Sequence, residues 1–98
     1  MSEKSEQINV VFESQLNRSA AYIDGKHAGE CEFTVDGNVW SIVHTGVDPA
    51  YGGRGIAKML VLKVIEEARN QQVKIIPVCS YAKRMMEGKE EYADVLKQ

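Results

Sequence analysis

The sequence predicts an α/β (α+β) domain built on a mixed, mostly antiparallel sheet. The first half of the chain alternates apolar and polar residues around two glycine-containing turn signals, which is typical of an antiparallel meander. The second half contains a glycine-rich loop, an amphipathic stretch and a short apolar run, which is typical of a β–α–β unit. With 98 residues, the chain is long enough for one hydrophobic core, so residues 1–98 are predicted to form a single domain.

Four strands are predicted in the first half. They are Ile8–Glu13, Arg18–Ile23, His27–Val35 and Val39–Val47. Asp24–Lys26 and Asp36–Asn38 separate the last three strands, and their Asp, Gly and Asn residues tolerate the positive φ that a tight hairpin requires. The strand Val39–Val47 carries apolar residues on both faces, so we expect it to be covered on both sides.

A glycine-rich loop separates the two halves. Gly52, Gly53 and Gly55 surround Arg54 directly before the amphipathic stretch. That stretch is predicted to be a helix because apolar residues recur at a spacing of four, at Ile56, Leu60, Val64 and Ala68. The first N–H groups of a helix lack partners, and glycines add no Cβ atoms that would hold a ligand away. The loop therefore predicts an anion-binding site.

A short strand and a short helix follow. Val73–Cys79 is predicted to lie parallel to the fourth strand after a right-handed crossover, with Pro77 at an edge or where pairing breaks. Ser80 is the predicted N-cap of a second helix, which Gly88 ends. A last helical turn or two is predicted over Glu90–Leu96.

Composition and charge argue against several classes of protein. Twelve Lys and Arg against 14 Asp and Glu give a net charge of −2, which does not predict a partner among nucleic acids or anionic membranes. No apolar run approaches the roughly 20 residues that cross a bilayer. Residues 1–7 are polar, lack the apolar stretch of a secretory signal and are predicted to be disordered. The distant Cys31 and Cys79 are predicted to be free thiols of a cytoplasmic protein, with no metal site.

The glycine-rich loop and its flanks resemble a known family. The stretch Val47–Leu60 resembles the acetyl-CoA-binding motif of the GNAT acyltransferases, Gln/Arg-x-x-Gly-x-Gly/Ala. Gly55 and Ala57 match the last two fixed positions, whereas Gly52 stands at the Gln/Arg position. That departure removes one side chain from the pyrophosphate site, for which Arg54 could partly substitute.

Further segments occur in the order found in the small, single-domain GNAT-like proteins. They are His44–Val47, Ile76–Tyr81 and Glu91–Tyr92. The resemblance implies a GNAT-type fold that has lost the helical region between its first two strands, because residues 14–17 leave no room for it. It also implies an N-acetyltransferase that uses acetyl-CoA, or binds CoA, as its cofactor. The acceptor side would be open, which favours a bulky or flexible acceptor such as a protein or peptide amine, or an acceptor site completed by a second subunit.

The resemblance also implies the cofactor-binding residues. Backbone groups of Thr45, Gly46 and Val47 would pair with pantetheine, and an N–H there would stabilise the oxyanion that develops on the thioester. The pyrophosphate would be held by Gly52, Gly53, Arg54, Gly55, Ile56, Ala57 and Lys58. Ser80 and Lys83 complete the expected site. Lys83 or Arg84 would reach the 3′-phosphate or adenine end, or else both lie on a solvated helix face.

Three side chains are candidates for the chemistry. Cys79 would lie beside the thioester and before a helix, which favours a nucleophile or a general acid; as a small buried side chain it would only close the core. His44 is the candidate base, or else a strand histidine bonded to a neighbour. Tyr81 is a candidate acid, or else an aromatic cover over the helix start. An acetyltransferase, a non-catalytic CoA-binding module and a phosphate-ligand protein unrelated to CoA all remain open functions.

Overall fold

The alternating strands of the first half form the predicted meander in a computed structural model, which describes residues 7–98. The strands are β1 Ile8–Glu13, β2 Arg18–Ile23, β3 Lys26–Asp36, β4 Val39–Val47 and β5 Lys74–Pro77, and the helices are α1 Ile56–Gln71 and α2 Ser80–Met86. The strands form one sheet in the order β1-β2-β3-β4-β5, with β5 parallel to β4 and the other pairs antiparallel. The predicted fold class is confirmed. The disorder predicted for residues 1–7 falls outside the described residues, except at Gln7, whose carbonyl accepts a hydrogen bond from Asp24 N at 3.4 Å.

The core lies between α1 and one face of the sheet, which we call the inner face. The apolar stripe predicted from the spacing of four is buried along the whole helix, from Ile56 to Ala68. Phe33 and Trp40 stack on the inner face with ring centroids 4.3 Å apart. Ser19 is fully buried there, and its hydroxyl donates to Leu60 O at 2.8 Å, which fixes α1 to β2. The opposite face of the sheet is called the outer face.

A β-bulge in β4 turns the side chains that follow it to the face of the sheet opposite to the one that regular alternation would give. Phe33 pairs with Ile42 and Glu32 pairs with His44, so Val43 is an extra residue in β4. After the bulge, Thr45 lies opposite the buried Cys31 on the inner face, and His44 lies on the outer face. The expectation that β4 is covered on both sides is wrong at Val43, whose residue is 42% exposed, because the bulge removes it from regular pairing.

Pairing between β4 and β5 stops halfway along β4. The parallel register runs from Val39 and Lys74 to Ile42 and Pro77. Val78 N and Cys79 N then both donate to Ile42 O at 2.9 Å, and the chain turns into α2. Pro77 therefore lies where pairing breaks, as predicted. The segment 43–47 of β4 continues beyond β5, and we call the space between this segment and Cys79 the gap.

The C-terminal part differs from its prediction at three points. The strand predicted over Val73–Cys79 covers only Lys74–Pro77, because pairing with β4 ends at Pro77. The N-cap of α2 is Cys79 and not Ser80: Cys79 Sγ accepts a hydrogen bond from Ala82 N at 3.4 Å. After Gly88, Glu90–Tyr92 forms a 3-10 turn, but the helical prediction fails further on, because Leu96 forms a parallel bridge to Ile75 of β5. This bridge covers the free edge of β5.

Candidate active site

The glycine-rich loop leaves the N-terminus of α1 open. The first helical hydrogen bond runs from Met59 N to Gly55 O at 3.2 Å, and the N-cap residue Gly55 has no side chain with which to cap the helix. Gly53 and Gly55 have φ values of +79° and +76°, and a Cβ atom added at either would meet nothing within 4 Å. The first-turn N–H groups, including that of Ile56, therefore adjoin a space free of side chains. This geometry suits an anion such as a pyrophosphate.

Two predicted pyrophosphate ligands take part in the loop itself. Gly52 N donates to Pro49 O at 3.2 Å, which closes the 3-10 turn Pro49–Tyr51. The Arg54 guanidinium donates to Ala50 O at 3.3 Å and lies 5.5 Å from the centroid of the Tyr51 ring. The loop is thus stabilised internally, and the available backbone donors are concentrated after Arg54.

The other predicted cofactor ligands divide into two groups. The Ile56 side chain is buried in the core, so only its backbone can serve the site. Ala57 is half-buried, whereas Lys58, Ser80 and Lys83 are exposed. The two lysines are therefore free to approach a ligand from solvent.

Peptide groups of β4 face the gap. Asp48 N donates to Ala28 O of β3 at 2.7 Å. Because peptide groups alternate along an extended strand, those of Val47 and Thr45 turn away from β3 toward the gap. These groups have the arrangement that an added strand-like ligand requires. The peptide of Gly46, in contrast, turns toward β3.

Cys79 lies at the gap beside two hydrogen-bonding groups. Besides the contact with Ala82 N, its Sγ lies 3.4 Å from Thr45 Oγ1. The same Thr45 hydroxyl donates to Cys31 Sγ at 3.5 Å. The structure therefore joins Cys79, Thr45 and Cys31 into one cluster, of which the sequence analysis identified only Cys79 as a candidate for chemistry.

His44 lies on the outer face, away from that cluster. Its Nε2 is 2.7 Å from Glu30 Oε2, and the other oxygen of Glu30 is 3.2 Å from His27 Nε2. Because an ionised carboxylate only accepts, this contact requires a proton on His44 Nε2, and in the neutral ring Nδ1 is then an acceptor. A Cβ atom at Gly46 would lie 2.9 Å from His44 Nε2, so the glycine makes room for the ring.

Sequence reasoning missed Glu30 and the hydroxyl of Thr45. Both contacts depend on the register between β3 and β4, which the bulge at Val43 shifts by one residue. One sequence signal could have indicated the bulge. The apolar residues of this strand lie at even-numbered positions at first, Trp40 and Ile42, and at an odd-numbered position, Val47, at its end. Tyr81 is half-buried and packs against the core, in keeping with its alternative interpretation as a cover.

Burial gives Cys31 a measurable effect on stability at alkaline pH. Desolvation raises the pKa of its thiol from 9.0 to about 12. The unfolded chain therefore releases this proton above pH 9 while the folded chain keeps it, so the free energy of unfolding falls as pH rises. The expected loss is about 1.4 kcal/mol per pH unit above the unfolded pKa.

Urea denaturation of the wild type and of Cys31→Ala at pH 8 and pH 10 measures this effect. The variant loses stability at both pH values because a small cavity forms. The wild type is expected to lose about 1.4 kcal/mol more than the variant between the two pH values. Equal losses in the two proteins would contradict a protonated, buried Cys31.

The fold and the site together define an α+β domain with an anion-binding loop beside an opened sheet. Comparison with known proteins assigns this domain. The family model of the GCN5-related N-acetyl-transferases matches residues 18–95, so the chain belongs to the GCN5-related N-acetyltransferase family. A comparison with curated proteins found no match.

Solved structures give the same result. The NMR solution structure of a GCN5-like protein from Staphylococcus aureus is 37% identical, with a TM-score of 0.66 over 83% of this chain and 81% of that one. A GNAT acetyltransferase from Brucella melitensis in complex with acetyl-CoA is 18% identical, with a TM-score of 0.57 over 74% of this chain and 54% of that one. The ribosomal-protein-S18-alanine N-acetyltransferase from Escherichia coli is 22% identical, with a TM-score of 0.57 over 59% and 38%. The last two similarities show the shared fold.

Neither α-helix found within residues 7–98 has both the length and the hydrophobicity that a membrane crossing requires.

Proposed function

We propose that the chain is an acetyl-CoA-dependent acyltransferase that transfers an acetyl group to an amine acceptor. The observation that carries this proposal is the gap itself: β4 peptide groups face it, Cys79 borders it, and β4 leads from it into the loop at the α1 N-terminus. A thioester donor needs a strand-like slot for its arm and an anion site for its pyrophosphate. The gap and the loop supply both.

The residues fit such a donor. Gly53 and Gly55 keep the α1 N-terminus free of side chains, and the first-turn N–H groups would hold the pyrophosphate. Thr45 and Val47 would hold the arm through their peptide groups. When bound, acetyl-CoA supplies an activated acetyl thioester. Lys58 and Lys83, both exposed, would add charge for the phosphates.

Cys79 is the proposed group at the reacting centre. As a thiolate, its Sγ would form a bond to the acetyl carbon while the bond to the donor sulfur breaks, and the electron pair leaves with that sulfur, which takes a proton from solvent. The acceptor amine would then attack the acetyl carbon held on Sγ; the new C–N bond forms as the C–S bond breaks, and Sγ leaves again as a thiolate. As a thiol, Cys79 would instead give its proton to the leaving sulfur in a direct transfer.

His44 is the proposed base for the acceptor amine. Its Nδ1 would take the proton that the amine loses, while Glu30 holds the ring through Nε2. A shallow depression on the outer face is lined by His27, Glu30, His44 and Asp48 among others. We propose that the amine approaches through this depression. Val43 and His44 are exposed, so a bulky protein or peptide amine would fit.

A non-catalytic CoA-binding module is the second candidate. It is favoured by one observation, that Cys79 and His44 lie on opposite faces of β4. A module needs the loop and the gap but no contact between acid and base.

Titration of CoA into ¹⁵N-labelled protein tests the shared part of both candidates. Amide shifts are expected at Gly53, Gly55, Thr45 and Val47, with Gly37 at the distant hairpin as an internal control. No shift at these residues would reject CoA binding. An acetylation assay on lysine-containing and free N-terminal peptides then separates the two candidates, because a module forms no product on any acceptor.

A further inference from the structure

Two sulfur atoms share one hydroxyl beside the gap. Thr45 Oγ1 lies 3.4 Å from Cys79 Sγ and 3.5 Å from Cys31 Sγ. One hydroxyl carries one proton, so it donates to one sulfur at a time. We propose that Thr45 is a positioning residue whose hydroxyl turns from Cys31 to Cys79 when Cys79 becomes a thiolate, and that it thereby stabilises that thiolate. This inference rests on the proposed role of Cys79 as nucleophile.

The cluster of Cys79, Thr45 and Cys31 can form its hydrogen bonds in two arrangements, which differ in the sulfur atom to which the Thr45 hydroxyl donates. In the observed arrangement the Thr45 hydroxyl donates to Cys31, and the Cys79 thiol can donate to Thr45 Oγ1. A Cys79 thiolate has no proton and only accepts, so the Thr45 proton must turn toward it. Cys31 then donates its own S–H to Thr45 Oγ1. The proton that Cys79 lost goes to solvent, and rotation of the hydroxyl and thiol hydrogens suffices.

Burial keeps Cys31 able to take part. Cys31 has no exposed surface, and desolvation holds the pKa of its thiol far above neutral pH. It therefore remains a thiol, which is a weak donor as well as a weak acceptor. Whichever of the two sulfur atoms the Thr45 hydroxyl donates to, the other can donate to Thr45 Oγ1. The half-buried hydroxyl therefore keeps two hydrogen-bond partners, Cys31 and Cys79.

Packing alone does not account for a threonine at this position. The inner face of β4 is otherwise apolar, with Trp40 and Ile42 buried on it, and a valine would have the same shape. The bulge at Val43 is what turns position 45 inward toward Cys31. Together with Ala82 N, the hydroxyl gives Cys79 Sγ two neighbouring donors.

Alkylation of the folded protein by iodoacetamide at neutral pH measures the thiolate of Cys79, and mass spectrometry of the peptides separates it from Cys31. Thr45→Val removes the hydroxyl and keeps the shape. We expect it to slow alkylation of Cys79 about tenfold, the loss of one hydrogen bond to a charged group. Thr45→Ser restores the hydroxyl and is expected to remain within about twofold of the wild type.

Two outcomes would overturn the inference. One is an unchanged rate in Thr45→Val, and the other is an equal slowing in Thr45→Val and Thr45→Ser, which would indicate packing. If Thr45→Val does not fold, as judged by urea denaturation, Thr45→Ala takes its place with the same expected slowing.

The test is independent of the proposed function. Incubation of the wild type with acetyl-CoA reports separately whether Cys79 gains an acetyl group. Slower alkylation in Thr45→Val without any acetylation of the wild type would reject Cys79 as the nucleophile for acetyl-CoA, and with it the catalytic use of the Thr45 contact, while the stabilisation of the Cys79 thiolate by Thr45 would stand.

Discussion

Replacement of Cys79 by Ala is expected to lower the rate of acetyl transfer at least about 100-fold, the lower end of what a positioned acid, base or nucleophile contributes. The variant lacks the sulfur atom that borders the gap and contacts Thr45. No other thiol replaces it, because Cys31 is fully buried behind Thr45. The measurement is the initial rate of product formation at saturating acetyl-CoA, together with the CoA affinity, which should change little.

Cys79→Ser and Cys31→Ala are the matched controls. Cys79 is also the N-cap of α2, so its replacement by Ala removes a cap and costs about 1 kcal/mol of stability. Serine keeps a capping acceptor but is a far weaker nucleophile, so Cys79→Ser should retain stability and still lose activity. Cys31→Ala removes the other thiol but keeps the Thr45 hydroxyl, so it should lose far less activity than Cys79→Ser. Full activity in Cys79→Ser would exclude both proposed roles of the sulfur.

The two roles of Cys79 differ in one intermediate. A nucleophile carries the acetyl group before the acceptor arrives, so mass spectrometry of the wild type with acetyl-CoA alone should show one acetyl group on the Cys79 peptide. A general acid never carries it. Loss of activity in Cys79→Ser without any acetylated wild type would therefore assign Cys79 as the acid.

Local sequence signals predicted the parts of the fold that they determine. The predicted bounds of β1, β2 and β4 agree with those in the structure. They could be predicted because the turn residues that end each strand are close in sequence to the alternating residues that define it. Helix α1 and the open glycine loop were predicted for the same reason. Pro77 marked the end of strand pairing, because a residue without an N–H cannot extend a ladder.

The parts that depend on register could not be predicted. A single extra residue at Val43 decides that Thr45, and not His44, lies on the inner face beside Cys79. Alternation alone would have placed His44 there, since a one-residue shift turns every later side chain to the other face. The contact between His44 and Glu30 arises from the same shift.

The N-cap residue of α2 is also determined by tertiary contacts and could not be predicted from the local sequence. Serine is the stronger intrinsic cap, so Ser80 was the local prediction. The double hydrogen bond of Val78 N and Cys79 N to Ile42 O ends the strand segment at Cys79, which leaves Cys79 in extended backbone with its sulfur toward Ala82 N. The hydrogen bond from Ala82 N thereby fixes the position of the Cys79 sulfur beside the gap.

Replacement of Gly55 by Ala is expected to weaken CoA binding about tenfold or more, because the pyrophosphate would lose its contacts with the N–H groups at the α1 N-terminus. Gly55 is the N-cap of α1 with φ +76°, and the space beside it is open. A methyl group there would project into the space that a pyrophosphate needs over the first-turn N–H groups. Isothermal titration of CoA into the wild type and the variant measures the change.

Gly37→Ala is the control that separates ligand exclusion from backbone strain. Gly37 also has a positive φ, +61°, with nothing within 4 Å of an added Cβ, but it lies in the hairpin between β3 and β4, at the other end of β4. Both variants should therefore lose a similar 1–2 kcal/mol, roughly the strain of a non-glycine residue in this conformation. Only Gly55→Ala should lose CoA affinity. If Gly55→Ala binds CoA as the wild type does, the pyrophosphate does not lie at the α1 N-terminus. If both variants lose the same affinity, backbone strain explains the loss, and the expected exclusion of the ligand by the methyl group is wrong.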